Sequence, residues 1–210
     1  MSSGGSVSAR GALLLVGGGG HCRAVIDVLE RIPVAVAGIV DEARASGTVL
    51  LYPVLGCDED LPDLRSVYSL ALVTVGQIKT PLVRQKLFAR LEELCFDIPT
   101  PVSPLARVSP HALLGKGSVV MHQALVNAGT VIGKNCIINS QALVEHDCRI
   151  GDHCHIATGA KLCGGVETGE GVFVGAGSVV REGTRLGKNC VVGMGVCVRH
   201  DVPDGGRYVG

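Results

Sequence analysis

The sequence contains no tryptophan, and three Phe and three Tyr bring its aromatics to only 3%. Globular cores usually draw bulk from aromatic rings, so one thick core is disfavoured. Abundant Val, Ile and Ala beside 30 Gly suggest thin, repeated layers instead. Net charge is missing as well, because 19 basic side chains balance 19 acidic ones. With no long-range field to gather nucleic acid or anionic membrane, neither is expected as a partner. The apolar run Gly11 to Val16 is far short of the ~20 residues that cross a bilayer, and no membrane insertion is expected. Residues 1–10 are rich in Ser and Gly and lack the regions of a secretory signal. They read as a disordered tail, and the protein as cytoplasmic. The nine cysteines include no C-x-x-C pair, and without a secretion signal they do not suggest a disulfide framework.

What is present is a repeat. In steps of six from Val108 to Val198, fifteen of sixteen lead positions are Val, Ile or Leu, with Thr168 the exception. Gly often follows the lead, as at Gly115, Gly133, Gly151 and Gly169, and is expected to relieve backbone strain near turns. Four positions after each lead stands a small or β-branched residue, such as Ser118, Ala124, Thr130 or Cys136. A helix would show a period of 3.6 and an isolated strand a period of 2. A period of six held over some hundred residues predicts a hexapeptide β-helix, its short strands stacked coil on coil. Cys136, Cys148, Cys154 and Cys190 fall on the small inward position and act as compact hydrophobes. The cluster His146, Cys148, His153, Cys154 and His155 looks like a zinc site. Two of its members face inward by register, no tetrahedral spacing survives, and no metal is expected.

The first half reads differently. A short strand at Ala12 to Val16 runs into Gly17-Gly18-Gly19-Gly20-His21-Cys22. Ala24, Val25, Val28, Leu29 and Ile32 then share a helical face, and Val34 to Val40 is a buried strand ending at Asp41-Glu42. This order is that of a Rossmann-like dinucleotide fold, with Cys22 where the third glycine would stand. Gly17 to Gly20 would let backbone N–H groups approach phosphates, and Asp41 would hydrogen-bond a ribose or base. A third strand at Leu70 to Val75 and a helix at Pro81 to Leu94 complete the unit. The expected organisation is a tail at 1–10, the α/β domain at 11–98, a Pro-rich linker at 99–107, the β-helix at 108–203 and a C-terminal tail at 204–210.

The GGGGH turn ahead of an unbroken hexapeptide repeat resembles the sugar O-/N-acyltransferase family of sialic acid and bacillosamine biosynthesis. The stretches Ile138 to Cys148 and His155 to Gly164 carry the likeness most specifically. It is nearest to members that acetylate the 4-amine of a UDP-linked amino-dideoxy sugar. The resemblance implies a left-handed β-helix, acetyl-CoA as co-substrate, and a homotrimer with active sites between subunits. By the same resemblance His146 is the general base, Asp147 polarises it, and Asn139 is an active-site residue. His155 and Gly164 would lie against acetyl-CoA. Gly17, Gly20, His21 and Asp41 would line the nucleotide-sugar pocket. The family pattern continues past Tyr208-Val209-Gly210 into a G-x-P-A-K type of tail that this chain does not contain.

The chemistry is coherent. Transfer from a thioester to an amine needs a base for the ammonium proton and donors for the developing oxyanion. Histidine beside a carboxylate suits the first task, and Glu145-His146-Asp147 offers an acid on either side. No Ser or Cys stands out as a covalent nucleophile, so direct attack in a ternary complex is the simpler route. His111, His122, His153 and His200 read as surface residues. Other readings of this pattern are O-acetylation of a sialic acid, N-acetylation of a GDP-linked amino sugar, a metal-dependent β-helix enzyme of the carbonic anhydrase type, and an inactive scaffold.

Overall fold

The computed structural model describes residues 11–42, 47–77 and 80–210; the tail expected at 1–10 lies outside them. The chain forms two compact units, Met1–Gly76 with Leu87–Pro99, and Gln77–Lys86 with Thr100–Gly210.

The first unit is a small α/β sheet. Its elements run β1 (Leu13–Val16), α1 (Gly20–Leu29), β2 (Val36–Val40), β3 (Thr48–Val49), β4 (Tyr52–Gly56), α2 (Leu61–Val67), β5 (Leu70–Val73) and the greater part of α3 (Leu82–Glu93). The strand order is β3-β4-β2-β1-β5, parallel except for the β3–β4 hairpin. β1, between β2 and β5, is wholly buried, as expected of a parallel strand covered on both faces. The hairpin and α2, over 48–67, are elements the sequence pattern did not announce. α1 buries Cys22, Val25, Ile26, Val28 and Leu29, while Ala24, expected on that face, is exposed. Cys22 is 0% exposed, so a small thiol takes the close helix–sheet packing that the third glycine of the fingerprint usually allows.

The second unit is the left-handed β-helix. Seventeen two-residue strands, β6 (Arg107–Val108) to β22 (Arg207–Tyr208), stack into three parallel faces of five, six and six strands. Register advances by eighteen residues, three hexapeptides to a coil, as in Val120↔Ile138↔Ile156↔Val174. The lead aliphatics and the small positions form one continuous core, with Cys136, Cys148, Cys154 and Cys190 inside it. Thr168 also points inward, and its hydroxyl accepts the Gly151 N–H at 3.1 Å, which satisfies the one polar lead residue.

Three features differ from the sequence pattern. The glycine after the lead does not take a left-handed backbone. It permits close stacking, because a methyl at Gly115 would sit 2.5 Å from the Gly133 carbonyl. The left-handed position is two residues further on, held by Gln123, Gly129, Asn135, Gln141, Asp147, His153, Gly159 and Gly165 in turn. The ladder also extends beyond 108–203. Val102, in the expected linker, already bridges Val120, and 204–210, expected as a tail, carries β22. The last coil is shortened, pairing Leu186 with Val202 and Val192 with Tyr208 at a separation of sixteen.

Candidate active site

His146 and Asp147 occupy the corner between β12 (Leu143–Val144) and β13 (Arg149–Ile150). Asp147 adopts φ +59°, a conformation that short polar side chains tolerate better than most. His146 Nδ1 lies 2.9 Å from Asp147 Oδ2. A carboxylate only accepts, so Nδ1 carries the proton and Nε2 is left with a free lone pair. Glu145, the other flanking acid, instead accepts from Asn127 Nδ2 at 2.9 Å. Both members of the dyad are exposed, at 63% and 72%. One coil on, Gly164 lies against the imidazole, and Gly165 donates its N–H to the His146 carbonyl at 2.9 Å.

Asn139 and His155 stand at a different corner. Asn139 follows β11 (Ile137–Ile138), and His155 opens β14 (His155–Ile156) one coil later on the same face. Asn139 Oδ1 accepts the Ser140 N–H at 2.8 Å, which turns its Nδ2 toward His155 Nε2 at 3.0 Å. His155 Nδ1 donates to the Gln77 carbonyl at 2.7 Å. His155 is 7% exposed and meets Phe173 edge-on at 5.2 Å. Desolvation, with a further push from the charge of Arg84, lowers its pKa to about 4, against the upward pull of the Gln77 carbonyl. The two groups sit at opposite ends of β12, and β11, β12 and β13 belong to three separate faces. One chain therefore does not bring Asn139 and His155 to the His146–Asp147 dyad.

Gln77 and Arg84 were not legible as site residues. Arg84 is 2% exposed. Its Nη2 donates to the Asn135 carbonyl and, at 3.0 Å, to Asn135 Oδ1, while Nη1 reaches Gln77 Oε1 at 3.3 Å. Gln77 Nε2 donates to the Gly171 carbonyl at 3.1 Å. Burial lowers the Arg84 pKa to about 10, which leaves it charged at neutral pH. A polar residue ahead of a helix and a basic one in its first turn read as solvent-facing, and no periodic signal marks them. His153, expected at the surface, is largely covered, its Nδ1 2.9 Å from Asn135 Nδ2. His122 is half-buried, 2.5 Å from Ser103 Oγ.

In the α/β unit the glycine turn sits at the carboxyl end of β1, beside that of β5, where the strand order reverses. This is the place at which open α/β sheets bind ligands. Gly17 has φ +104°, and a methyl there would strike Val75. Gly18 donates to Asp41 Oδ2 at 2.5 Å, so one oxygen of Asp41 secures the turn. Methyls at Gly19 or Gly20 would meet nothing within 4 Å. The N-terminus of α1 has no side-chain cap, and its first turn has no acidic residue, so its N–H groups suit an anion. His21 packs against Gly76 across the same crevice.

Among the described residues no group of three or more His, Cys, Asp or Glu is arranged to hold a metal ion. Nor is any helix among them long and apolar enough to cross a membrane.

The "PglD N-terminal domain" family model matches residues 12–91, and "Bacterial transferase hexapeptide (six repeats)" matches 129–164 and 165–200. No curated protein sequence matches the chain significantly. Among solved structures, a mutant GDP-perosamine N-acetyltransferase from Caulobacter crescentus, bound to CoA and GDP-perosamine, is 38% identical. It covers 98% of this chain and 96% of its own, with TM-score 0.92. The acetyltransferase domain of PglB from Neisseria gonorrhoeae, in complex with acetyl coenzyme A, is 33% identical over 94% and 95%, with TM-score 0.86. WeeI from Acinetobacter baumannii is 25% identical over 95% and 96%, also at 0.86. The chain belongs to the hexapeptide-repeat sugar acyltransferases with a PglD-type N-terminal domain, the family of sialic acid and bacillosamine biosynthesis. Members of this class are acetyl-CoA-dependent acyltransferases, and acetyl-CoA is the co-substrate.

Proposed function

We propose that the protein transfers an acetyl group from acetyl-CoA to the 4-amine of a nucleotide-linked amino-dideoxy sugar, with His146 as general base. The observation that carries this reading is the His146–Asp147 pair. Its proton is committed to the carboxylate at Nδ1, and Nε2 is free to take one from the substrate ammonium before it attacks as the amine. The neutral amine attacks the thioester carbonyl; the tetrahedral intermediate collapses with cleavage of the C–S bond, and the proton lost by the new amide nitrogen passes to the CoA thiolate, which leaves as the thiol. The Gly164 backbone N–H and the side-chain amide of Asn139 are the proposed donors to the developing oxyanion. Gly17, Gly20, His21 and Asp41 are proposed to hold the nucleotide diphosphate and its sugar. The relative bound to GDP-perosamine supports a GDP-linked acceptor; a UDP-linked sugar is the second reading. Both substrates are cytoplasmic metabolites, which suggests where the enzyme works.

A homotrimer with sites between subunits is part of the proposal. The dyad and the Asn139–His155 pair stand at different corners of one coil, and a second copy would supply the missing half. Free thiol release from acetyl-CoA, measured against GDP- and UDP-linked 4-amino sugars and free sialic acid, tests the reaction. No release with either nucleotide sugar would reject it. Mixing inactive His146→Ala and Asn139→Ala chains tests the shared site. Random trimers should recover about a quarter of the wild-type activity, whereas recovery of none would place the whole site in one subunit.

A further inference from the structure

We propose that His155 is a positioning residue, not a proton carrier: held as one neutral tautomer, it aims the Asn139 amide at the acyl-transfer site. The proposal rests on the acyl transfer proposed above and assigns a task within it.

Each hydrogen bond in the chain fixes the next. The Gln77 carbonyl can only accept, so His155 Nδ1 holds the ring's proton. The Ser140 N–H can only donate, so Asn139 faces it with Oδ1 and turns Nδ2 to the ring. An amide nitrogen does not accept, so the 3.0 Å contact is Asn139 Nδ2–H donating to a bare His155 Nε2. Both ring nitrogens are spent. A second proton would set two donors against each other at Nε2. Asn139 retains one amide hydrogen for a substrate.

Gln77 and Arg84, both in the β-helix unit, enforce this state. Gln77 is tied by its side chain to the Gly171 carbonyl and to Arg84, so the carbonyl that reads His155 is itself fixed. Arg84 is the charged group acting on the ring. Gln77, Asn139 and Phe173, which also face it among the described residues, are uncharged. A buried guanidinium satisfied by neutral acceptors, with Nε lacking any among the described residues, is costly to stability. Its field opposes protonation of the imidazole.

Ring-nitrogen NMR of the full chain labelled with 15N-histidine tests this, with His155→Gln identifying the signal. The expected result is an Nδ1–H tautomer unchanged between pH 8 and about 5. Titration of His155 near the usual value of about 6.5, or an Nε2–H tautomer, overturns the proposal. This readout needs no substrate, so it stands even if no acyl transfer is found. In Asn139→Asp the carboxylate demands a proton on Nε2, and His155 should then titrate above its usual range; an unmoved signal counts against the proposal. In kinetics, His155→Phe keeps the ring shape but removes the acceptor. It should lose roughly 10²-fold in kcat with little change in the acetyl-CoA KM. His155→Gln, which can still accept from Asn139, should recover most of that loss; equal loss in both variants would leave His155 with a packing role alone.

Discussion

The imidazole of His146 leans across the backbone of Gly164, one coil above it. A methyl at Gly164 would stand 2.6 Å from Cε1 and 2.7 Å from Nε2. The same logic applies below, where the Asp147 carboxylate occupies the place a side chain at Gly129 would take. The dyad therefore lies flat along the column only because each neighbour lacks a Cβ. Gly164→Ala should push the base off line and lower kcat by roughly 10²-fold. Its acetyl-CoA KM should change less, and steady-state thiol release would show the split.

His146→Ala should lose roughly 10²-fold or more in kcat while both substrates still bind. Asp147→Asn is the gentler probe, because Asn also tolerates the left-handed backbone that this position adopts. It should keep the fold and lose about one to two orders of magnitude in kcat, since an uncharged partner stabilises the imidazolium less. Circular dichroism together with kinetics separates these effects from misfolding.

Stability should depend on pH through His155. Its folded pKa of about 4 lies below the unfolded value near 6.5. The unfolded chain thus binds a proton that the native one does not, and stability is lost as pH falls through that window. The loss should approach about 3 kcal/mol by the lower end. Urea unfolding at several pH values would measure it, and His155→Gln should flatten this contribution.

Asp41→Ala should release the Gly18 N–H and loosen the glycine turn. Loss of that hydrogen bond is expected to cost about 1 kcal/mol or more in stability. The KM for the nucleotide sugar should rise and that for acetyl-CoA should not, which two-substrate kinetics would resolve.

Thiol labelling should sort the cysteines by burial. Cys95 and Cys197 are exposed, Cys57 and Cys163 are half-buried, and the other five are buried. Native protein should therefore react first at Cys95 and Cys197, with Cys22, Cys136, Cys148, Cys154 and Cys190 reached only on unfolding. Mass spectrometry after a timed pulse checks the order.

The β-helix was legible because its period exceeds any local propensity, and the lead positions that carry it are inward-facing with few exceptions. The dyad was legible too; the resemblance singled out Asp147, but the residue pattern by itself left open which acid serves the histidine. That choice depends on the left-handed turn at Asp147, which a strand pattern does not display. Glycine's two uses were confused in the sequence, since stacking at Gly115 and turning at Gly117 look alike as letters. Gln77 and Arg84 were invisible for a different reason. Their burial comes from packing in the β-helix unit, where most of their partners are some fifty or more residues away in the chain.

The triangular coil gives this half of the chain a phase. Removing eighteen residues would return every later column to its place, one storey lower. Removing six would keep each lead aliphatic inside yet carry everything after it round by a third of a turn. Made between His146 and Gly164, such a deletion would part core stability from catalytic alignment: the solenoid could still close while Gly164 no longer stood over His146. Length changes here are tolerated by modulus rather than by size.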